Sequence, residues 1–117
     1  MITKLLDCTL RDGGYVNDWN FGNENICSII AMLTKAKVDI VECGFLEDSP
    51  YGDAISIFSS ISKIKAVLPS ERGKTEYVAM IEYGKYHLDK LEICDGASVT
   101  GIRVTFHKND IEDSLVF

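Results

Sequence analysis

The sequence predicts an α/β fold: about four parallel strands with helices on their outer face, forming half of a closed barrel. Three observations carry this. Apolar runs of strand character alternate with stretches of helical period along the chain. Three of the four strands carry a polar row on one face, which packed helices cannot cover without a large desolvation cost. The 117 residues suit one domain, yet they end inside an apolar helix on "SLVF", so the chain reads as the N-terminal part of something longer.

Residues 4–10 read as the first strand. Residues 23–36, "NENICSIIAMLTKA", read as a helix, with Ile26, Ile29, Ile30 and Leu33 at helical spacing and Asn23 as its cap. Residues 38–45, "VDIVECGF", form a Val- and Ile-rich strand of the kind buried in parallel sheets. Residues 53–64 fit a helix through Ile57, Phe58, Ile61 and Ile64, with Asp53 as cap. They also alternate like a strand over Ile55 and Ile57, and the helix is expected because a strand precedes it. Residues 76–82 form the third strand, 85–94 a short helix stopped by Gly96, 101–106 the fourth strand, and 109–117 the start of another helix capped by Asn109 or Asp110. The order β-α-β-α-β-α-β-α implies parallel strands joined by crossovers.

Composition excludes several classes. Hydrophobic residues make up 46% and charged residues 26%, an ordinary globular balance. The net charge of −6, without a Lys/Arg cluster, speaks against nucleic acid and anionic membrane surfaces. No apolar run reaches the ~18 residues that would span a bilayer. The N-terminus shows no signal-peptide pattern. Cys8, Cys27, Cys43 and Cys94 form no CxxC pair and lie in apolar segments. They are expected as buried free thiols in a reducing, cytoplasmic setting.

The polar rows locate the chemistry. Leu6, Cys8 and Leu10 are one face of the first strand, and Asp7, Thr9 and Arg11 the other. In the second strand Val41, Cys43 and Phe45 oppose Ile40, Glu42 and Gly44. In the fourth Ile102, Val104 and Phe106 oppose Arg103, Thr105 and His107. In a closed parallel barrel such rows meet inside, and the site forms at the carboxyl ends of the strands. Arg11, Asp12, Glu42 and His107 lie at or near those ends. Each has a plainer reading: a solvated turn for Arg11–Asp12, a water-facing carboxylate for Glu42, a structural histidine for His107, an ordinary loop for Tyr15 to Trp19.

These residues carry a family resemblance. "DCTLRDGGYVNDWNF" resembles the opening strand and loop of the metal-dependent lyase and aldolase barrels related to hydroxymethylglutaryl-CoA lyase. "VECGF" is similar to their second-strand signature. "YVAMIEYG" and "GIRVTFHKND" resemble the third and fourth strands of the 4-hydroxy-2-oxovalerate aldolase-like branch. The similarity runs from Leu5 to about Val116. It implies the N-terminal half of a (β/α)8 TIM barrel, a divalent metal (Mg²⁺ or Mn²⁺), and carbon–carbon bond cleavage or formation in a small 2-oxo acid through an enolate. It assigns Asp12 to the metal, Arg11 to the developing enolate and Glu42 to holding the arginine. Arg103 and His107 are the expected substrate contacts.

Two departures from the family stand out. Its further metal ligands come from a His-x-His pair on a late strand, whereas this chain has only His87 and His107. Its acid/base histidine is replaced by Tyr15, a poorer proton carrier at neutral pH, with His107 as the alternative. The fragment alone is expected to bind metal weakly, to catalyse little and to self-associate through open edges. An acyl-CoA condensing enzyme similar to isopropylmalate synthase and a non-catalytic binding domain are the alternatives. A receiver-type signalling module is disfavoured, because the third strand ends in Ile81 and Glu82 rather than a phosphoacceptor aspartate.

Overall fold

A computed structural model describes residues 2–116. The elements are β1 (Leu6–Asp7), α1 (Asn23–Lys35), β2 (Ile40–Leu46), β3 (Ile57–Phe58), α2 (Ile61–Lys65), β4 (Glu76–Glu82), β5 (Gly101–Thr105) and α3 (Ile111–Ser114), with 3-10 turns at Gly13–Val16, Leu88–Lys90 and Lys108–Asp110. All the strand pairs are parallel, in the order β1-β2-β4-β5, with β3 also on β2. β4 runs along one edge of β2, so β1 and β3 share the other: β1 at its start, β3 at its end. The fold is α/β with a parallel sheet, as the alternation of elements predicts.

One face of the sheet is covered by helices. Ile26 and Ile30 of α1 and Ile64 of α2 pack with Val41, Cys43, Leu46, Tyr77, Ala79 and Ile81. Ile26 and Ile30 are fully buried, each contributing roughly 2 kcal/mol by removal from water. The opposite face holds a smaller cluster of Phe45, Ile57 and Met80 under Trp19.

The elements differ from expectation in instructive ways. β1 is two residues long instead of spanning 4–10, because Asp7 accepts bonds from the Thr9 backbone N–H (3.0 Å) and hydroxyl (3.0 Å) and folds the chain back. The Arg11 and Asp12 N–H groups then both reach the Cys8 carbonyl, at 3.1 and 2.7 Å. Register sets Asp7 beside Val41, not beside Glu42, so the alternation read through Arg11 breaks at this turn. In β2 a bulge lies between Glu42 and Phe45. It moves Phe45 from the helix side to the face of Glu42, and Leu46 takes the helix side. Gly44 makes this possible: its φ is +150°, and a Cβ there would lie 2.1 Å from the Ser56 carbonyl oxygen.

Residues 53–64 are not one helix. The Phe45 N–H donates to Ser56 and the Glu47 N–H to Phe58, which makes β3 a strand. α2 starts only at Ile61, and Ser60 caps it rather than Asp53 by accepting from the Lys63 N–H (3.3 Å). Gly22 occupies the cap position of α1, and Asn23 is its first residue without a side-chain cap bond. The helix expected over 85–94 is a single 3-10 turn, tied down where Asp48 accepts from Lys90 (2.9 Å) and pairs with His87. The last helix is a 3-10 turn followed by Ile111–Ser114, and the part of that expectation at Phe117 lies outside the described residues. Val104 and Phe106, read as the covered side of the fourth strand, are 43% and 42% exposed. Of the four free cysteines only Cys43 is buried; Cys8 is half-buried, while Cys27 and Cys94 are exposed.

Candidate active site

The turn after β1 aims Arg11 across the sheet at Glu42. Its Nε donates to Glu42 Oε1 at 2.6 Å, and its Nη1 donates to Asp12 Oδ1 at 3.0 Å. From β5, Arg103 Nη1 donates to the other oxygen, Oε2, at 2.9 Å. Glu42 is fully buried, with both oxygens held by guanidinium groups. A buried carboxylate needs this pairing, because taking it out of water costs several kcal/mol. Register explains the meeting. Glu42 of β2 lies beside Val78 and Arg103 of β5 beside Met80, both on β4, so the two side chains rise from one face of the sheet and meet across β4, the strand between them.

Electrostatics follow the geometry. Burial works against the Arg11 charge, but the Glu42 bond and charge, with Asp12 behind them, more than offset it, and its pKa is raised. Burial pushes the neighbouring Cys43 thiol up to about 12, and the Glu42 charge adds to this. That thiol is not a nucleophile in the folded chain.

Trp19 braces the turn. Its Nε1 donates to the Arg11 carbonyl at 2.6 Å, and its indole meets Phe45 edge-on at 5.8 Å. A Cβ on Gly14 would sit 1.9 Å from this indole, so glycine is required beneath it. Asp18 and Trp19 both take positive φ (55° and 60°), a local strain on the order of 1 kcal/mol each. Ser56 donates to the Leu10 carbonyl at 2.6 Å and fixes the turn from β3. Sequence alone offers an ordinary loop for Trp19 and carries no signal for Ser56, whose partner lies 46 residues away.

The expected site residues separate into two groups. Arg11, Asp12, Glu42 and Arg103 form one connected cluster. Tyr15 stands beside it, 66% exposed, touching Trp19 edge-on at 4.7 Å. His107 is apart: its Nε2 lies 3.1 Å from Glu82 Oε1, and its side chain is 80% exposed. Lys85 pairs with the second oxygen of Glu82 at 3.1 Å, and this bond raises its pKa. Glu82, inward at the end of β4, is a site-rim residue that strand parity alone identifies.

As for a metal, no three His, Cys, Asp or Glu side chains converge among the described residues. Asp12 is 63% exposed, and its Oδ2 has no partner among the described residues. The chain therefore fits a divalent cation by one carboxylate oxygen, a partial shell. None of the helices is long and apolar enough to cross a membrane, among the described residues.

No family model and no curated protein matches the sequence. Among solved structures the chain is similar to the N-terminal domain of a putative aldolase from Bacteroides vulgatus, with a TM-score of 0.69 and 23% identity. The match covers 97% of this chain and 39% of that one, so this chain spans well under half of that protein's length. At this identity the likeness shows the fold: a parallel α/β sheet of the kind found in that aldolase domain.

Proposed function

We propose that the chain is the N-terminal half of a (β/α)8 barrel whose complete form is a metal-dependent aldolase, cleaving or forming a carbon–carbon bond in a small 2-oxo acid through an enolate. The observation that carries this is Glu42, third residue of β2, buried on the inner face of the sheet between Arg11, which follows β1, and Arg103 in the middle of β5, with Asp12 exposed beside Arg11. An enolate oxygen gains negative charge as the bond breaks. A preorganised guanidinium beside it supplies electrostatic stabilisation, usually the largest single catalytic effect. Glu42 fixes the Arg11 side chain before the substrate arrives, so little reorganisation accompanies the charge build-up. Asp12 would hold Mg²⁺ or Mn²⁺ as one ligand of several, the rest coming from outside this chain. The cation would supply Lewis-acid polarisation of the substrate oxygen. Tyr15 at the mouth of the turn is the first candidate proton donor. His107, held by Glu82 through Nε2, is the second.

The experiment is solvent-deuterium exchange of the methyl protons of pyruvate, followed by NMR with Mg²⁺ or Mn²⁺, on the protein that carries this chain together with its remaining strands. Metal-dependent exchange, with 2-oxo acid cleavage abolished by Arg11→Ala, is expected. Turnover of every tested 2-oxo acid unchanged in Arg11→Ala would overturn the assignment. The reading further has isolated copies of this chain associating through the uncovered Val104, Phe106 and Ile111. A clean monomer in sedimentation at high concentration contradicts that part.

A further inference from the structure

We propose that Arg103 is the carboxylate-binding residue of this site, presenting an edge of its guanidinium, steadied by Glu42, to the carboxylate of a small 2-oxo acid; this rests on the enolate reading of Arg11. Three observations carry it. The first is a charge balance. Glu42 divides one negative charge between two guanidinium groups, and Arg11 has a second carboxylate in Asp12. Arg103 has a single bond, from Nη1 to Glu42, and its Nε and Nη2 carry no partner among the described residues. The second is access. The Arg103 side chain is 45% exposed and that of Arg11 16%, so a ligand reaches Arg103 without displacing a protein partner. It rises from the same face as Val78 and Met80, both nearly buried, so an anion there sits over an apolar floor that strengthens the pairing.

The third is spacing. A single carboxylate bridges the two guanidinium groups, so the groups they bind must be neighbours on the ligand. In a 2-oxo acid the carboxylate and the carbonyl are adjacent carbons. The carboxylate takes the Arg103 edge and the carbonyl oxygen faces the Arg11 guanidinium. An arginine edge suits a planar carboxylate because two parallel N–H donors match its two oxygens, which a lysine ammonium cannot reproduce.

The test is an equilibrium titration of the 117-residue chain with pyruvate, without metal and without turnover, read on the arginine Nε–H signals and backbone amides by NMR. Saturable shifts at Arg103 and around Glu42 are expected. Arg103→Gln should weaken binding by at least about tenfold, the loss of a charge-assisted pair. Arg103→Lys, which keeps a cation beside Glu42 and guards against a folding defect, should restore less than half of that loss on a logarithmic scale. Pyruvate binding unchanged in either variant overturns the proposal, as does no saturation with wild type. Inorganic phosphate binding as tightly as pyruvate overturns the assignment to a planar carboxylate. Because the measurement is made without metal or bond cleavage, failure here leaves the deuterium-exchange test of Arg11 standing. Failure there leaves this titration interpretable.

Discussion

Replacing Glu42 by glutamine puts a neutral amide of nearly the same shape between two guanidinium groups. The fully buried carboxylate gives up two charge-assisted bonds, at 2.6 Å to Arg11 and 2.9 Å to Arg103. Such a bond contributes roughly 1.5–3 kcal/mol. The Arg103 share is discounted, because that side chain is half-exposed and recovers water, as surface pairs do. The Arg11 share is kept nearly whole, since its guanidinium is only 16% exposed. The amide NH2 must also face an arginine donor, which adds an unmet hydrogen bond. The total loss comes to about 2–4 kcal/mol, a large fraction of the 5–15 kcal/mol typical of a domain. Urea unfolding followed by the fluorescence of Trp19, the sole tryptophan, measures it directly. With a slope of about 2 kcal/mol per M, the midpoint should fall by roughly 1–2 M. Arg103→Met should cost ~1 kcal/mol or less. A Glu42→Gln midpoint within ~0.2 M of wild type would refute the reasoning, because it would mean the buried charge is not held as described.

Three further outcomes follow from the same geometry. Gly44→Ala forces a Cβ to within 2.1 Å of the Ser56 carbonyl oxygen at φ +150°, so it should destabilise by about 3 kcal/mol or more and loosen β3 from β2, seen as faster amide exchange at Phe45 and Glu47. Thiol labelling at neutral pH should modify Cys27 and Cys94 rapidly and Cys43 only on unfolding, given its burial and its pKa of about 12; mass spectrometry showing early Cys43 adducts would contradict this. The bond from Lys90, with burial opposing and His87 assisting, lowers the Asp48 pKa from 3.8 to about 2. A depressed folded pKa contributes stability above the unfolded value that is lost as pH falls through the folded one. Asp48→Asn should therefore be less stable than wild type above pH 4, and the two should converge near pH 2. Equal acid-unfolding profiles across that range would contradict the pairing.

Much of the fold is legible in the sequence because period is a strong signal in long elements. α1 and β4 fall within a residue of their expected bounds, and Ile26 and Ile30 are core as their spacing implies. The short elements are not legible, and the reason is competition by single side chains. Asp7 captures Thr9 and ends β1 early. Ser60, not Asp53, starts α2. Asp48 holds His87 and Lys90 from across the sheet and prevents a helix there. Each of these contacts except the first two spans about forty residues, which no local pattern reports. Site parity was read for Glu42 and Arg103 from strand alternation; the same alternation, applied to the third strand, finds Glu82. It failed for Phe45 because Gly44 inserts one extra residue, and for Asp7 because register sets it beside Val41 on the helix side rather than beside Glu42. Trp19 was undervalued for a different reason. Its role comes from an indole N–H reaching the Arg11 carbonyl and from a glycine that leaves room for the ring, features that appear only in three dimensions.

The most direct test of the account is where a divalent cation settles. Mn²⁺ added in small amounts to the isotope-labelled chain broadens NMR signals near its binding point, and it does so even for weak, partly completed sites. The account predicts loss of amide signals from residues 11–14 first, abolished by Asp12→Asn while the Arg11–Glu42 bond persists. Broadening centred on Asp48 and Asp89 instead, or unchanged by Asp12→Asn, would contradict it.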